Sequence, residues 1–195
     1  MIAKGAATAR GERKAILQPF VPLLANWAGR GELKVLRQLE TASRPVALEG
    51  KYLFCGFYLN ELVMRLLKRH DPLPELFSLY AQTLAQLTDR QDAENILRYF
   101  ELGLLQALGY APLLDREAVG GRAIEQDKLY WYQVEAGPVS TRSENLPGLH
   151  GDTLLALSAG ATLNPQQKHE ALRLMRYILQ FYLGDKPLKS RELFA

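Results

Sequence analysis

The sequence predicts an α+β protein, with short strands in its N-terminal part and mainly helices in the remainder. Residues 17–39 contain prolines and glycines that interrupt a partial alternation of apolar and polar residues. Periodic apolar segments typical of helices begin at residue 52. The chain has 195 residues and 48% hydrophobic content, enough to bury a core in one large or two small domains. A break at 43–46 predicts domains of residues 1–44 and 45–195.

The N-terminal part reads as strands because Pro19 and Pro22 interrupt it and two glycines around Arg30 form a turn. Leu33, Val35 and Leu39 then alternate in part with polar residues. Trp27 lies in this region. A core position is favoured for it over an exposed position that would offer a stacking face.

Three helices are predicted next. Residues 52–67 are apolar in nearly every direction around a helical wheel, so this helix belongs in the core. Two prolines within residues 70–74 end this helix and precede a second helix that ends near Leu87. A third helix spans 93–108. Gly109 follows as a left-handed cap.

The last third combines a hairpin with two helices. Residues 129–140 predict a small β-hairpin that turns at Gly137, after a loop-like stretch. A short helix is expected over 152–157. Asn164 then provides a cap before a proline, which opens a long helix to Tyr182.

Composition excludes several classes of protein. No apolar run reaches the roughly 18 residues of a membrane span, and the start of the sequence is neither apolar nor long enough for a secretory signal. We therefore expect a cytoplasmic protein without membrane contact.

Cys55 is the one cysteine, so no internal disulfide and no multi-cysteine zinc site can form, and a buried inert thiol is favoured over a reactive one.

Charge is distributed unevenly along the chain. Residues 1–44 carry eight Lys and Arg against three acidic residues, residues 45–167 carry ten against fifteen, and residues 168–195 carry six against three. Basic ends around an acidic middle are expected when one surface binds a polyanion, although ordinary charge scatter remains the alternative.

The basic ends supply candidate phosphate-binding residues. In the last helix, steps of four and three residues bring His169, Arg173 and Arg176 onto one stripe opposite an apolar face. A solvated helix face is the alternative, but the stripe continues into a basic tail, which favours phosphate binding. The candidate DNA-binding residues are Lys4, Arg10, Arg13, Lys14, Lys34, Arg37, Arg173, Arg176, Lys186, Lys189 and Arg191.

Arg98 is a candidate for a second kind of site. On its helix it shares a face with Leu102 and Leu105, and Glu94 and Glu101 border that face. One interpretation is a surface ion pair with either glutamate. The other is a cation beside an apolar groove, suited to a peptide that ends in a hydrophobic residue and carboxylates.

Catalytic and metal-binding patterns are not found. The three histidines have no metal-type spacing, and the chain contains no nucleophile-elbow, zinc-protease or paired-carboxylate motif. The glycines near the N-terminus do not match a nucleotide-binding loop. We therefore expect a protein that is not an enzyme and that has no cofactor and no metal.

Several short blocks along the sequence follow the order seen in one known family. These blocks are Ile2–Ala6, Leu17–Phe20, Gly29–Lys34, Gly56–Leu62, Arg98, Phe100–Leu102, Leu108–Tyr110 and Pro187–Phe194. Through them the sequence resembles the family of the DNA repair protein RecO over essentially its whole length. The resemblance implies an N-terminal OB-fold barrel followed by a helical bundle, in a bacterial, nucleoid-associated protein.

The resemblance also implies function and partners. It implies a mediator of DNA repair and homologous recombination that binds and anneals single-stranded DNA without nucleotide hydrolysis. Such proteins contact the C-terminal tail of single-stranded DNA-binding protein (SSB) and RecR, and they help to load the RecA filament. Arg98, with Leu102, Leu105 and a second cation at Arg90, is the expected tail-binding set.

Two departures from the family pattern shape the expectation. Many relatives carry a four-cysteine zinc site in the region equivalent to residues 113–126, where this chain has no cysteine, so we expect a member without zinc. Relatives also begin with further strands before the block at Ile2. Either the start is internal or the OB-fold is partial, and the alternative function is then a helical interaction module without autonomous DNA binding.

Overall fold

The computed structural model describes residues 16–29, 34–68 and 71–194, which divide into two compact units between Glu49 and Gly50. The predicted boundary lies a few residues earlier. The mixed α+β class is confirmed. The elements are β1 (Leu23–Ala28), β2 (Val35–Thr41), α1 (Lys51–Leu66), α2 (Pro74–Thr88), α3 (Ala93–Ala107), β3 (Leu129–Gln133), β4 (Gly137–Val139), β5 (Gly148–His150), α4 (Gly151–Ser158), α5 (Pro165–Leu183) and a C-terminal 3-10 helix (Lys189–Phe194).

The N-terminal unit contains an antiparallel hairpin. Strands β1 and β2 pair from Leu23 opposite Thr41 to Ala28 opposite Val35, with an irregularity after Asn26. The described residues of this unit hold these two strands only, so the predicted partial OB-fold, a five-stranded barrel when complete, stays a prediction. The preference for a core tryptophan is wrong, because Trp27 is 56% exposed.

The helices of the C-terminal unit begin and end close to the predicted residues because their caps are local. Gly109 adopts a φ of 82°, and its N–H and that of Tyr110 donate to the carbonyls of Gln106 and Leu105, which ends α3 in a Schellman motif. At the start of α5, the side chain of Asn164 accepts from the backbone of Gln167, whose side chain accepts from the backbone of Asn164.

A three-stranded antiparallel sheet with the order β4-β3-β5 packs on these helices. The predicted hairpin is confirmed as β3 and β4. Tyr130 and Tyr132 are buried on one face, and Trp131 on the opposite face is half-buried, as adjacent strand residues require. Strand β5 lies outside the elements that the sequence predicted.

A buried carboxylate joins the end of β5 to α5. Glu170 accepts hydrogen bonds from the backbone N–H of His150 at 3.0 Å and from the hydroxyl of Thr153 at 2.6 Å, and it contacts the His150 ring at 2.5 Å. Burial acts to raise the pKa of Glu170, but the hydrogen bonds from Thr153 and His150 outweigh it and hold the pKa below its ordinary value. An ionised Glu170 therefore fixes how α4 leaves the sheet.

The core of the C-terminal unit lies where α1, α2, α3 and α5 pack together. Its fully buried side chains include Leu59, Leu62, Leu87, Phe100, Leu104, Leu174, Met175 and Ile178. No helix within residues 16–29, 34–68 and 71–194 combines the length and apolar character that crossing a membrane requires. In the same ranges no group of three His, Cys, Asp or Glu residues is placed to hold a metal ion.

Two glycines test how tightly this unit is packed. A Cβ on Gly151 would lie 2.0 Å from the backbone oxygen of Glu125, whereas a Cβ on Gly103 would meet the flexible end of Leu79 at 2.5 Å. We expect Gly151→Ala to lower the free energy of unfolding by about 1–3 kcal/mol, because backbone must move. Gly103→Ala should cost much less, since Leu79 can rotate and alanine favours the helix by about 1 kcal/mol. Urea unfolding of both variants measures the difference, and equal losses would contradict this packing.

Candidate functional site

A cavity of about 840 Å³ opens in the C-terminal unit between α1, the first half of α3, α5 and the C-terminal 3-10 helix. Four segments that are distant in sequence therefore share one site. The lining residues are Lys51, Cys55 and Tyr58; Gln91, Asp92, Ala93, Glu94, Leu97 and Arg98; Pro165, Lys168, His169, Leu172 and Arg176; and Arg191 and Phe194. The volume falls in the range of ordinary ligand sites.

Cations outnumber free acids around this cavity. Lys168 forms ion pairs with Asp92 and, at 3.7 Å, with Glu94, so its single positive charge offsets one of the two negative charges of the lining. The hydrogen bond from Lys168 lowers the pKa of Asp92, which keeps that carboxyl ionised. The other lysine and arginine residues of the lining are Lys51, Arg98, Arg176 and Arg191. Apolar side chains, among them Leu97 and Leu172, lie between them.

Arg98 is buried at the edge of the cavity. It is 5% exposed and donates from Nη2 to Oε1 of the fully buried Glu101 at 2.6 Å. Tyr58 on α1 donates to the same oxygen at 2.5 Å, so the cluster links α1 to α3. Burial raises the pKa of the Glu101 carboxyl, and the Arg98 guanidinium and the Tyr58 hydroxyl act against that rise.

Two guanidinium groups at this site have hydrogen-bond donors without acceptors. Within the described part of the chain, Nε and Nη1 of Arg98 and Nη2 of Arg191 are buried and have no hydrogen-bond partner. Both residues line the same cavity. A buried donor without an acceptor costs about 1–3 kcal/mol, which an anionic ligand with acceptor oxygens would recover. The arrangement is thus suited to a carboxylate beside an apolar group.

The predicted peptide-binding residues on α3 do not all reach the cavity. Arg98 lines the cavity, and its ion pair with Glu101 is buried rather than on the surface. Leu105 is fully buried in the core and Leu102 is half-buried, and neither lines the cavity. Of the predicted residues on α3, Arg98 alone lines the cavity, which borders the first half of the helix, so Leu97 provides the apolar contact instead.

Arg90 lies in the turn between α2 and α3, next to the lining residue Gln91, but does not itself line the cavity. Its backbone has a φ of 54°, and its carbonyl accepts a hydrogen bond from the Tyr52 hydroxyl at 2.9 Å. The structure therefore does not bring Arg90 and Arg98 together at this cavity. Arg176 and Arg191, which the sequence assigned to DNA, are the other two arginines among the described residues that line it.

The predicted DNA-binding residues fall into three groups. Lys4, Arg10, Arg13 and Lys14 lie outside the described residues. Of the next two, Arg37 is exposed on β2, and Lys34 is half-buried and donates to the carbonyl of Gly29 at 3.0 Å. The remaining five, Arg173, Arg176, Lys186, Lys189 and Arg191, belong to α5 and the segment after it.

The basic stripe of α5 is exposed as predicted. His169, Arg173 and Arg176 all face solvent, whereas Leu174 and Met175 on the opposite face are fully buried. Arg173 also donates to the carbonyl of Gly148 at 2.7 Å, which orients it toward the sheet. His169 and Arg176 line the cavity but Arg173 does not. The stripe therefore divides between the cavity and the outer surface.

Sequence reasoning missed Lys51, Leu97, Leu172 and Phe194 as lining residues. One signal was available, because Leu172 lies three residues after His169 and four before Arg176, hence on the same helix face. No local signal marks Lys51 or Phe194. They reach the cavity only because the C-terminal segment returns to α1.

Comparison with known proteins identifies similar chains. Residues 48–192 match the family described as "Recombination protein O C terminal". The chain is 50% identical over 195 residues to the DNA repair protein RecO of Nitrosococcus oceani, covering 99% of this chain and 79% of that relative. It is 51% identical over 194 residues to the DNA repair protein RecO of Methylococcus capsulatus, covering 100% of this chain and 80% of that relative.

The buried pair beside the cavity gives a stability prediction. Arg98→Ala leaves the Glu101 carboxylate buried without its cation, so we expect a loss of about 3–5 kcal/mol in the free energy of unfolding. The double variant Arg98→Met/Glu101→Gln should recover much of this loss, since it leaves no uncompensated charge. Urea unfolding at neutral pH measures both. As a control, Lys128→Ala breaks an exposed pair with Glu125 and should hardly change stability. A double variant no more stable than Arg98→Ala would contradict the interpretation.

Proposed function

The chain belongs to the RecO family of DNA repair proteins, and from this we propose that it is a non-enzymatic mediator of DNA repair and homologous recombination. In this proposal it binds and anneals single-stranded DNA, contacts the C-terminal tail of SSB and RecR, and assists the loading of RecA. The helical unit receives the SSB tail, and the basic surface of α5 and the following segment receives DNA.

One observation carries the peptide-binding part of the proposal. Arg98 and Arg191 both have buried donors without partners at one cavity, and Leu97 and Leu172 lie beside them. A peptide that ends in an apolar side chain and a carboxylate needs a fixed cation next to an apolar surface. The charge-assisted hydrogen bond to the carboxylate would contribute about 1.5–3 kcal/mol, because it is made away from bulk water.

The cations around the cavity support an acidic peptide in particular. Lys51 lies at the start of α1, and Arg176 is exposed on α5. Lys168 offsets one of the two negative charges of Asp92 and Glu94, and the other lysine and arginine residues leave the lining with a net positive charge. Acidic residues that precede the end of the bound peptide would therefore meet a positive rim.

The DNA-binding part of the proposal is supported by exposed cations outside the cavity. Arg173, Lys186 and Lys189 are exposed and do not line it. Flexible lysines and an arginine at a solvated surface are the usual contacts to phosphate, which neutralise backbone charge without reading the sequence. Annealing requires this kind of binding, since both strands must be held by their backbones with the bases available.

The alternative function is a helical module that binds SSB and RecR without autonomous DNA binding. It is favoured by the N-terminal unit, where the described residues form one hairpin with Leu24 and Trp27 exposed. The two functions differ in salt dependence. The affinity of a mediator for oligonucleotides falls steeply as the salt concentration rises, whereas the module does not bind oligonucleotides at any salt concentration.

Two neighbouring arginines separate the two proposed ligands. We expect Arg173→Ala to weaken single-stranded DNA binding equally for all sequences and to flatten the slope of log affinity against log salt by roughly 0.7, with peptide binding unchanged. Arg176→Ala should weaken both ligands, because Arg176 also lines the cavity. Oligonucleotide and peptide titrations at several salt concentrations measure this. An unchanged slope in both variants would show that the basic stripe is ordinary solvated surface and does not bind DNA.

A charge placed on the apolar part of the cavity tests the peptide site. Leu172→Glu removes an apolar contact and adds a like charge, so we expect at least a tenfold loss of affinity for a labelled acidic SSB-tail peptide. The matched control is Val119→Glu, which makes a similar change at a residue that is 74% exposed and outside the cavity. Fluorescence anisotropy reports both affinities. Equal affinity of the two variants would place the peptide elsewhere.

A further inference from the structure

The C-terminal segment is held on α1 by two side chains one helical turn apart. Glu61 accepts from the backbone N–H of Lys189 at 3.0 Å, from the backbone N–H of Ser190 at 2.8 Å and from the Ser190 hydroxyl at 2.6 Å. Burial acts to raise the pKa of Glu61, but the hydrogen bonds from Ser190 and Lys189 hold it below its ordinary value. Glu61 is therefore an ionised acceptor at neutral pH.

Arg65 fixes the same segment from its other end. Its guanidinium donates to the carbonyls of Leu183 at 3.1 Å, Lys186 at 2.7 Å and Pro187 at 3.0 Å. Leu183 ends α5 and the other two residues follow it, so no hydrogen bond within α5 satisfies these carbonyls. Glu61 and Arg65 thus bind backbone groups on both sides of the turn that precedes the 3-10 helix, so they determine the course of the chain rather than one side-chain contact.

The fixed segment carries two residues of the cavity. Arg191 lies one residue after Ser190, and Phe194 packs edge-on against Phe54 of α1 with ring centres 6.2 Å apart. Arg191 is close enough to the buried cluster to act electrostatically on Glu101. Its position depends on the turn before it, because no described hydrogen bond holds its Nη2 atom.

We propose that Glu61 and Arg65 are positioning residues that hold the C-terminal segment so that Arg191 joins Arg98 in a two-guanidinium site for the terminal carboxylate of the peptide. This inference rests on the proposed peptide-binding function. It assigns the selectivity for a free carboxylate to a contact between the first helix and the end of the chain, although neither Glu61 nor Arg65 lines the cavity.

The test compares a labelled acidic peptide that ends in a free carboxylate with the same peptide ending in an amide. We expect the full chain to prefer the free acid by roughly ten- to a hundredfold, as a charge-assisted hydrogen bond provides. Glu61→Ala and Arg191→Ala should each bring this ratio close to one. The double variant should lose no more than the larger single loss, because Glu61 acts through Arg191.

Controls separate positioning from a general loss of stability. Glu75→Ala changes the same charge at an exposed residue of α2 and should keep the ratio. Glu61→Gln retains one acceptor oxygen and should fall between wild type and Glu61→Ala. Hydrogen exchange at the Lys189 and Ser190 amides should speed up in Glu61→Ala without any ligand, since those amides lose their acceptor.

The outcomes distinguish the two proposals. If the unaltered chain binds neither peptide, the proposed peptide-binding function fails, and this inference fails with it. If the unaltered chain selects the free acid but Glu61→Ala keeps the same ratio, the positioning role alone is overturned. Equal weakening of acid and amide in Glu61→Ala, with additive losses in the double variant, also overturns it, because that is the result of a structural role.

Discussion

The buried ion pair between Arg98 and Glu101 fixes the geometry on which the candidate site depends. A charge removed from water needs a close partner, and Glu101 provides it at 2.6 Å while Tyr58 attaches the same carboxylate to α1. The Arg98 guanidinium is thereby held rigidly at the edge of the cavity. Well-packed apolar residues can often replace such a pair without loss of stability, so stability alone does not explain a guanidinium with donors left over.

The cavity has one wall that differs from the others. The walls from α1, α3 and α5 belong to the packed core, whereas the fourth wall is a short 3-10 helix that Glu61 and Arg65 bind by hydrogen bonds. Glu61 and Ser190 are 129 residues apart in sequence. Contacts between the two ends of this unit therefore close that side of the cavity.

Helix α5 connects the two surfaces that the proposed function uses. Its apolar face packs in the core, Arg176 borders the cavity, and Arg173 faces outward beside the carbonyl of Gly148. Because one rigid helix carries both cations, their spacing is fixed by helical geometry rather than by loops. In the proposed function, one helix can therefore bind an anionic peptide and a DNA backbone at neighbouring positions.

Much of the fold could be predicted because its signals are local. The caps at Gly109 and Asn164 involve residues within one turn, and the periodicity of α5 separates its buried and exposed faces, so sequence alone determined these helices. The α+β class and the hairpin at 129–140 follow from the same kind of local pattern. The RecO resemblance rested on blocks along the whole sequence, and the family match confirmed it.

Only the tertiary structure decided the rest. Strand β5 has three residues and no alternation, so pairing with β3 alone defines it. A helical wheel gives the face of α3 but not where its neighbours end, which is why Leu97 lines the cavity and the predicted Leu105 is in the core. Arg191 belongs to the cavity because the chain returns to α1. Contacts between distant segments depend on how whole elements pack, and no local pattern contains that information.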